Sequence, residues 1–299
     1  MSALPDFLAR LLPFRSHFAP VRFGSEPRRM HFLDHGEGRP VLLLHGNPTW
    51  SFLWRKVMAG LQGSGLRLVA PDLIGLGLSD KPRALAGHSL HNHGQAVLDL
   101  VERLDLRDVV LVIQDWGGPI GAWMAARSGG RVTGLVVMNT SVLTPRAFRT
   151  TAFHRFSHLP GVSDVAFRLF NFPVPMLGRT QGDARSISGE VAKAYAWPLR
   201  NVVDRAAPLA LARMVPNRED HPTVAELAQG DAWFRAFRGP AELVWGLKDP
   251  ILGRALKRHS EALPHARVTA TQAGHFLQEE VPEEIAAAVR RVAGVAPAA

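Results

Sequence analysis

A chain of 299 residues with 46% hydrophobic and 20% charged residues can bury a sizeable core and has globular rather than disordered or fibrous proportions. It holds no cysteine, which excludes disulfides, thiolate nucleophiles and Cys-ligated metals and suits a reducing cytoplasm. Its net charge of +9 rests on 30 arginines among 35 basic residues, scattered singly or in pairs such as Arg28-Arg29, without the basic stripe interleaved with aromatics that nucleic-acid binding calls for.

Residues 1–14 lack a basic start and are interrupted by Pro5, Asp6 and Arg10, so they read poorly as a signal peptide. A short amphipathic piece, packed on the core or on a neighbouring subunit, is the expectation there. A hairpin follows, with residues 21–23 and 30–33 as its strands. Short apolar runs at 41–44, 66–70, 109–113, 135–138, 241–245 and 266–270 then alternate with helical patterns at 54–61, 88–104, 119–127 and 283–292. This alternation predicts the α/β class: a mostly parallel, eight-stranded sheet flanked by helices on both faces. The rhythm breaks between about Leu143 and Val215, where Phe148, Phe153, Phe156, Phe167, Phe170, Phe172, Tyr195 and Trp197 are interrupted by prolines. A helical insertion fits better than a loop of that length, and its aromatics either form its own small core or line a pocket. The expected division is a core of residues 1–143 and 216–299 with a helical cap of 144–215. No run of about 18 apolar residues could span a bilayer. A cytoplasmic protein without membrane or nucleic-acid partners is the expectation.

Chemistry gathers where polar residues follow the apolar runs, because the carboxyl ends of parallel strands converge on one edge of a sheet. After 109–113 comes Gln114-Asp115-Trp116-Gly117-Gly118, followed by small residues and helix formers. Strand, sharp turn and helix are the context of a nucleophile elbow, here carrying a carboxylate in place of serine. A carboxylate is ionised at pH 7 and can displace a leaving group from saturated carbon. The plain alternative is an aspartate capping the helix. Three other strand ends carry His45-Gly46-Asn47-Pro48, Gly246-Leu247-Lys248-Asp249-Pro250 and Ala273-Gly274-His275-Phe276. In chain order, Asp115, Asp249 and His275 give the nucleophile, acid and base sequence of a hydrolase built on this sheet. Among 13 histidines, only His275 joins a preceding glycine to a place after the last strand, and His45 reads as structural.

These stretches, with Pro71-Asp72-Leu73-Ile74-Gly75-Leu76-Gly77-Leu78-Ser79-Asp80, resemble the haloalkane dehalogenase family of α/β-hydrolases over nearly the whole chain. The resemblance implies the α/β-hydrolase fold with an inserted helical cap, Asp115 as nucleophile, His275 as base and Asp249 as its orienting acid. It implies the side-chain N–H groups of Asn47 and Trp116 as a halide clamp and their backbone N–H groups as the oxyanion site. The substrate class so implied is a small apolar halogenated alkane, with halide as product and neither metal nor organic cofactor. An Asp-His-Asp triad with an Asn and Trp pair resembles a subgroup whose members tend to form oligomers, which leaves a homo-oligomer as one expectation.

Three rivals remain at this stage. Epoxide hydrolases resemble the chain in many of the same motifs, but they usually meet the nascent alkoxide with two cap tyrosines, and Tyr195 is the only tyrosine here. Haloacid dehalogenation needs a cationic clamp for the substrate carboxylate, commonly arginines just after the nucleophile, where this chain has Trp116-Gly117-Gly118-Pro119. A non-catalytic ligand binder would keep the pocket, but nothing about binding alone calls for Asp115, Asp249 and His275 together.

Overall fold

The computed structural model describes residues 4–148 and 150–296. Residues 1–3 of the expected N-terminal segment, Arg149 of the expected cap and residues 297–299 of the expected core lie outside them.

Eight strands form one sheet: β1 (Ser16–Phe23), β2 (Glu26–His35), β3 (Arg39–Leu44), β4 (Leu66–Pro71), β5 (Val109–Asp115), β6 (Val132–Thr140), β7 (Ala241–Gly246) and β8 (Arg267–Thr271). Their order is β1-β2-β4-β3-β5-β6-β7-β8. Only β2 opposes its neighbours, and β4 through β8 run parallel. Strand β3 lies between β4 and β5, so the chain steps out to one side of it and crosses back to the other. A crevice opens at the carboxyl ends of strands around such a reversal, and the ends of β3 and β5 flank it here.

Side-chain alternation along β5 divides the core in two. Leu111 and Ile113 pack with Val97, Val101, Ile120, Trp123 and Phe234, which come from the helices Leu90–Arg103, Gly117–Ala125 and Pro222–Ala236. Val110 and Val112 pack on the other face with Val57, Met58, Ile285 and Val289 from the helices Arg55–Gly60 and Pro282–Ala293. Being covered on both faces is why the central strands read as continuous apolar runs. The short helix Asp6–Leu11 buries Leu8 in the second of these layers. Phe7 meets Trp197 edge-on and Arg10 pairs with Glu190 at 2.8 Å, so this segment also touches the insertion.

Among the described residues there is no strand between β6 and β7. That stretch instead forms the helices Ala152–Ser157, Val162–Arg168, Gly189–Ala196 and Ala206–Arg213 with short 3-10 turns between them. Phe167, Leu209 and Ala212, with Phe153, Phe156 and Phe172 against them, make a small apolar cluster of its own. Among the described residues, no helix is long and apolar enough to cross a membrane.

Candidate active site

At the end of β5 the backbone of Asp115 takes φ +49, in the left-handed region that a non-glycine residue enters only at a cost. Neighbours hold it there. Thr140 Oγ1 at the end of β6 donates to the Asp115 carbonyl at 2.6 Å. The Asn47 backbone N–H, just past β3, donates to Asp115 Oδ1 at 2.7 Å. Two glycines permit this close approach: a Cβ on Gly46 would collide with the Asp115 carboxylate, and one on Gly117 with the Leu44 carbonyl.

The other carboxylate oxygen faces the last strand end. Asp115 Oδ2 lies 3.5 Å from His275 Nε2, and His275 Nδ1 pairs with Asp249 Oδ2 at 2.8 Å. Gln114, the last inward residue of β5 before the elbow, donates to the His275 carbonyl at 3.1 Å, and the His275 N–H donates to the Thr180 carbonyl of the insertion at 2.9 Å. Asp249 is itself held: Oδ2 also accepts from Asn139 Nδ2 at 2.8 Å, and Oδ1 accepts from the Ile251 N–H at 2.7 Å. The structure thus brings Asp115, His275 and Asp249 into one chain of contacts.

Burial by itself would lower the basicity of the His275 imidazole, but Asp249 and Asp115 on its two sides outweigh it and push its pKa up to about 10. Burial likewise opposes the Asp249 charge, and the imidazolium and the Asn139 donor more than offset it, holding this carboxyl below its usual range. The free site therefore holds an imidazolium between two carboxylates. The neutral histidine that a base requires is not the resting form, since two carboxylates flank the ring.

Asn47, Asp115, Trp116 and His275 share the wall of a cavity of about 410 Å³, otherwise lined mainly by apolar side chains including Phe153, Phe172, Met176 and Phe276. Such a volume is ordinary for a small-molecule site. The insertion's aromatics thus do both things expected of them as alternatives, since Phe153 and Phe172 belong to its core and to this wall. Trp116 is buried, and one amide hydrogen of Asn47 goes to the Pro208 carbonyl at 2.9 Å, which leaves the second for a ligand. Asp115 and Trp116 also border a second chamber of about 450 Å³. His45 is buried away from both, accepting from the Leu73 N–H and paired with the Gly46 carbonyl. Among the described residues, no group of three or more His, Asp or Glu side chains is placed to hold a metal ion.

Two residues that the sequence reading passed over take part. Asn139 closes the β6 end, holding Asp249 and bonding both the N–H and the carbonyl of Gly246 at 2.8 and 2.9 Å. A polar side chain directly after Val136-Val137-Met138 was the available signal. His154 borders both chambers from the insertion. Thr151 Oγ1 caps its helix by accepting the His154 N–H and also lies 2.8 Å from His154 Nδ1. Burial holds this imidazole down to about 4, hence neutral at pH 7. Tyr195 borders neither chamber, and its hydroxyl donates to Glu279 Oε1 at 2.6 Å.

Comparison with known proteins agrees with this geometry. The family described as alpha/beta hydrolase fold matches residues 39–173. A haloalkane dehalogenase of Mycobacterium marinum is 37% identical over 287 residues, covering 92% of each chain. The crystal structure of the haloalkane dehalogenase DatA from Agrobacterium tumefaciens C58 is 30% identical with a TM-score of 0.79, covering 93% of this chain and 97% of that one. The tetrameric structure of the haloalkane dehalogenase DpaA from Paraglaciecola agarilytica NO2 is 28% identical, also with a TM-score of 0.79, covering 95% and 94%. A carboxylate at the elbow, the order of the strand-end residues and near full-length identity lead to one conclusion: this chain belongs to the haloalkane dehalogenase family of α/β-hydrolases.

Proposed function

We propose that the protein hydrolyses carbon–halogen bonds of haloalkanes to an alcohol, halide and a proton, with Asp115 as nucleophile, His275 as base and Asp249 as the acid that orients it. One observation carries the reading. In a largely apolar cavity a lone carboxylate has one oxygen fixed by a backbone N–H and the other set 3.5 Å from an imidazole. The same reading treats residues 144–215 as a cap over the core.

In the first step an Asp115 oxygen attacks the halogen-bearing carbon from behind. The C–O bond forms as the carbon–halogen bond breaks, and the bonding pair leaves with the halide. Halide is so weak a base that it needs donors and no acid; the Trp116 indole N–H and the second amide N–H of Asn47 serve, preorganised in a dry site. Ester formation removes the Asp115 charge, one of the two that keep His275 protonated, so the imidazolium gives its proton to solvent. The neutral ring then takes a proton from water as the oxygen attacks the ester carbonyl carbon. The oxyanion is met by the backbone N–H groups of Asn47 and Trp116, a kind of donor whose loss costs about 3 kcal/mol. Collapse releases the alcohol and restores the carboxylate–imidazolium pair.

Opening an epoxide would leave an alkoxide in need of a phenolic donor, and the one tyrosine is bonded to Glu279 away from the cavity. That favours halide over epoxide. A homo-oligomer is part of the proposal too, supported by the outward apolar side chains Val162, Leu169 and Phe170 on the insertion. A monomer mass by light scattering at micromolar concentration would end that part.

The test is His275→Phe with a bromoalkane. About one bromide per site should appear before the reaction stalls, and the peptide containing Asp115 should gain the mass of the alkyl group. An unmodified peptide after a confirmed bromide burst rules out the covalent route.

A further inference from the structure

The 450 Å³ chamber that adjoins Asp115 differs from the first in its charge, because Arg146 and Arg258 both line it. Arg258 projects from the helix Leu256–Ala262, and its Nη2 donates to the Thr144 carbonyl at 2.9 Å, which tethers it to the segment carrying Arg146. Its Nε is buried without an acceptor. Burial, and repulsion from Arg146, both work against the Arg258 charge. The Asp231 and Glu261 charges offset this only in part, and the Asp231 carboxylate is bonded elsewhere, to Arg235 Nε at 2.6 Å and to the Thr144 N–H at 3.0 Å. Among the described residues, neither Arg146 nor Arg258 takes part in an ion pair within 4.0 Å. Arg146 is exposed, but a buried polar group is normally paired, so the orphaned Arg258 N–H with a second guanidinium lining the same chamber describes a place for an anion, and a carboxylate matches the guanidinium fork.

The same chamber is lined by the nucleophile, Asp115. A ligand reaching from Asp115 to the arginines carries a halogenated carbon at one end and an anion at the other. An α-haloacid is too short for this, since its carboxylate adjoins the reacting carbon, where Trp116 and Gly117 supply no cation. We propose that this chamber selects ω-haloalkanoates, straight chains with a terminal halogen and a distal carboxylate held by Arg146 and Arg258. The inference rests on Asp115 being the nucleophile and adds the substrate class. The reaction is otherwise the same: the carbon–halogen bond breaks as the Asp115 ester forms, and hydrolysis gives an ω-hydroxyalkanoate, halide and a proton.

The test compares ω-bromoalkanoates of about four to eight carbons with their primary amides, which have the same shape and no charge. Bromide release is followed at low and high salt. In the parent enzyme kcat/KM should favour the carboxylate by about tenfold at the best length, as one charge-assisted hydrogen bond gained would give, and high salt should narrow the ratio. Arg146→Gln/Arg258→Gln should bring the ratio close to one. Arg146→Gln alone keeps the Arg258 tether to Thr144 and should lower the ratio about threefold, which guards against a folding defect in the double variant. Arg15→Gln/Arg103→Gln removes the same charge from exposed, remote positions and should leave the ratio in place. An amide used as well as the carboxylate at every length overturns the proposal, as does a ratio that survives the double variant or falls equally in the remote one. Failure to release bromide from any bromoalkane, charged or neutral, would instead strike the nucleophile assignment.

Discussion

Two histidines share the cavity wall with Asp115, one from a strand end and one from the insertion, and their protonation goes opposite ways. His275 stands on the strand-end side between two carboxylates and is pushed up to about 10, whereas His154 hangs from the insertion with a threonine hydroxyl as its partner and is held down to about 4. Both are largely buried, and both feel Asp115. What separates them is a second acid: only the sheet edge brings one, Asp249, to within 2.8 Å of the ring. The sheet side therefore supplies a charge that answers to ester formation, and the insertion side a neutral imidazole at the cavity wall.

The largest expected effect breaks the sheet side. Asp249→Asn keeps the shape but puts an NH2 among groups that are all donors: His275 Nδ1–H, Asn139 Nδ2 and the Ile251 N–H. Either flip sets donor against donor, and the one that turns the NH2 toward His275 favours the wrong imidazole tautomer, so turnover should fall by about 10³–10⁴. The halide burst, which needs only Asp115 and the clamp, should survive within a few-fold. Stopped-flow halide release checks this, and loss of the burst along with turnover would make Asp249 a group on which the first step also depends.

Asn139→Leu should act on the same side more mildly. It removes one donor from Asp249, leaves the Gly246 N–H buried without a partner and leaves the Gly246 carbonyl with only the long bond from the Asp249 N–H at 3.4 Å. Orphaned buried groups of this kind cost about 1–3 kcal/mol each. Urea unfolding should show a loss in that range, and turnover should drop roughly tenfold as Asp249 becomes less well held. Turnover unchanged alongside a full stability loss would make Asn139 a purely structural link.

The histidine contrast also predicts two opposite slopes of stability with pH. The folded-state pKa of His275 lies above the ordinary 6.5, so the folded state binds the extra proton. Its contribution is complete below about pH 6.5 and is lost as pH rises toward 10. The folded-state pKa of His154 lies below 6.5, so the unfolded state binds the extra proton, and stability falls as pH drops from about 6.5 toward 4. Melting temperature against pH should lose most of its alkaline slope in His275→Phe. The acid slope should only soften in His154→Phe, because His88 and His259 are also held down to about 4. Equal slopes in parent and His275→Phe would mean that the imidazolium is not buried between the two acids.

The same two regions differ in how much the sequence discloses. In the core, the polar residues stand a few positions beyond the ends of the apolar runs, and strand alternation with parallel pairing carries them to one edge, so Asn47, Asp115, Asp249 and His275 can be picked out by position. Asn139 follows a similar rule near the end of β6, but without a partner in the sequence an asparagine there looks like any strand terminus. The insertion has no such rule. Its short helices lack a long apolar period, so the aromatic run announces helix without saying which ring turns inward, and Phe153 and Phe172 prove to serve both cluster and cavity. The Thr151 cap that sits against the His154 ring can be recognised only once the helix start is known.

Tyr195 gives the smallest effect on rate and the sharpest test of that limit. From sequence it is the one phenol that could assist epoxide opening; in the structure it is fully buried, edge-on to Phe52, and donates to Glu279 Oε1. Glu279 keeps its bond from Arg55 Nη2 at 2.9 Å when the phenol is lost, so Tyr195→Phe leaves no unpaired buried acid. A hydrogen bond to a charged group contributes about 1.5–3 kcal/mol, and urea unfolding should register a loss of that order. Bromide release from a bromoalkane should stay within twofold, because the hydroxyl lies outside both chambers that border Asp115. A tenfold loss of turnover in a variant that unfolds like the parent would put the phenol at the reacting atoms, and with it the epoxide reading would regain the donor it lacks.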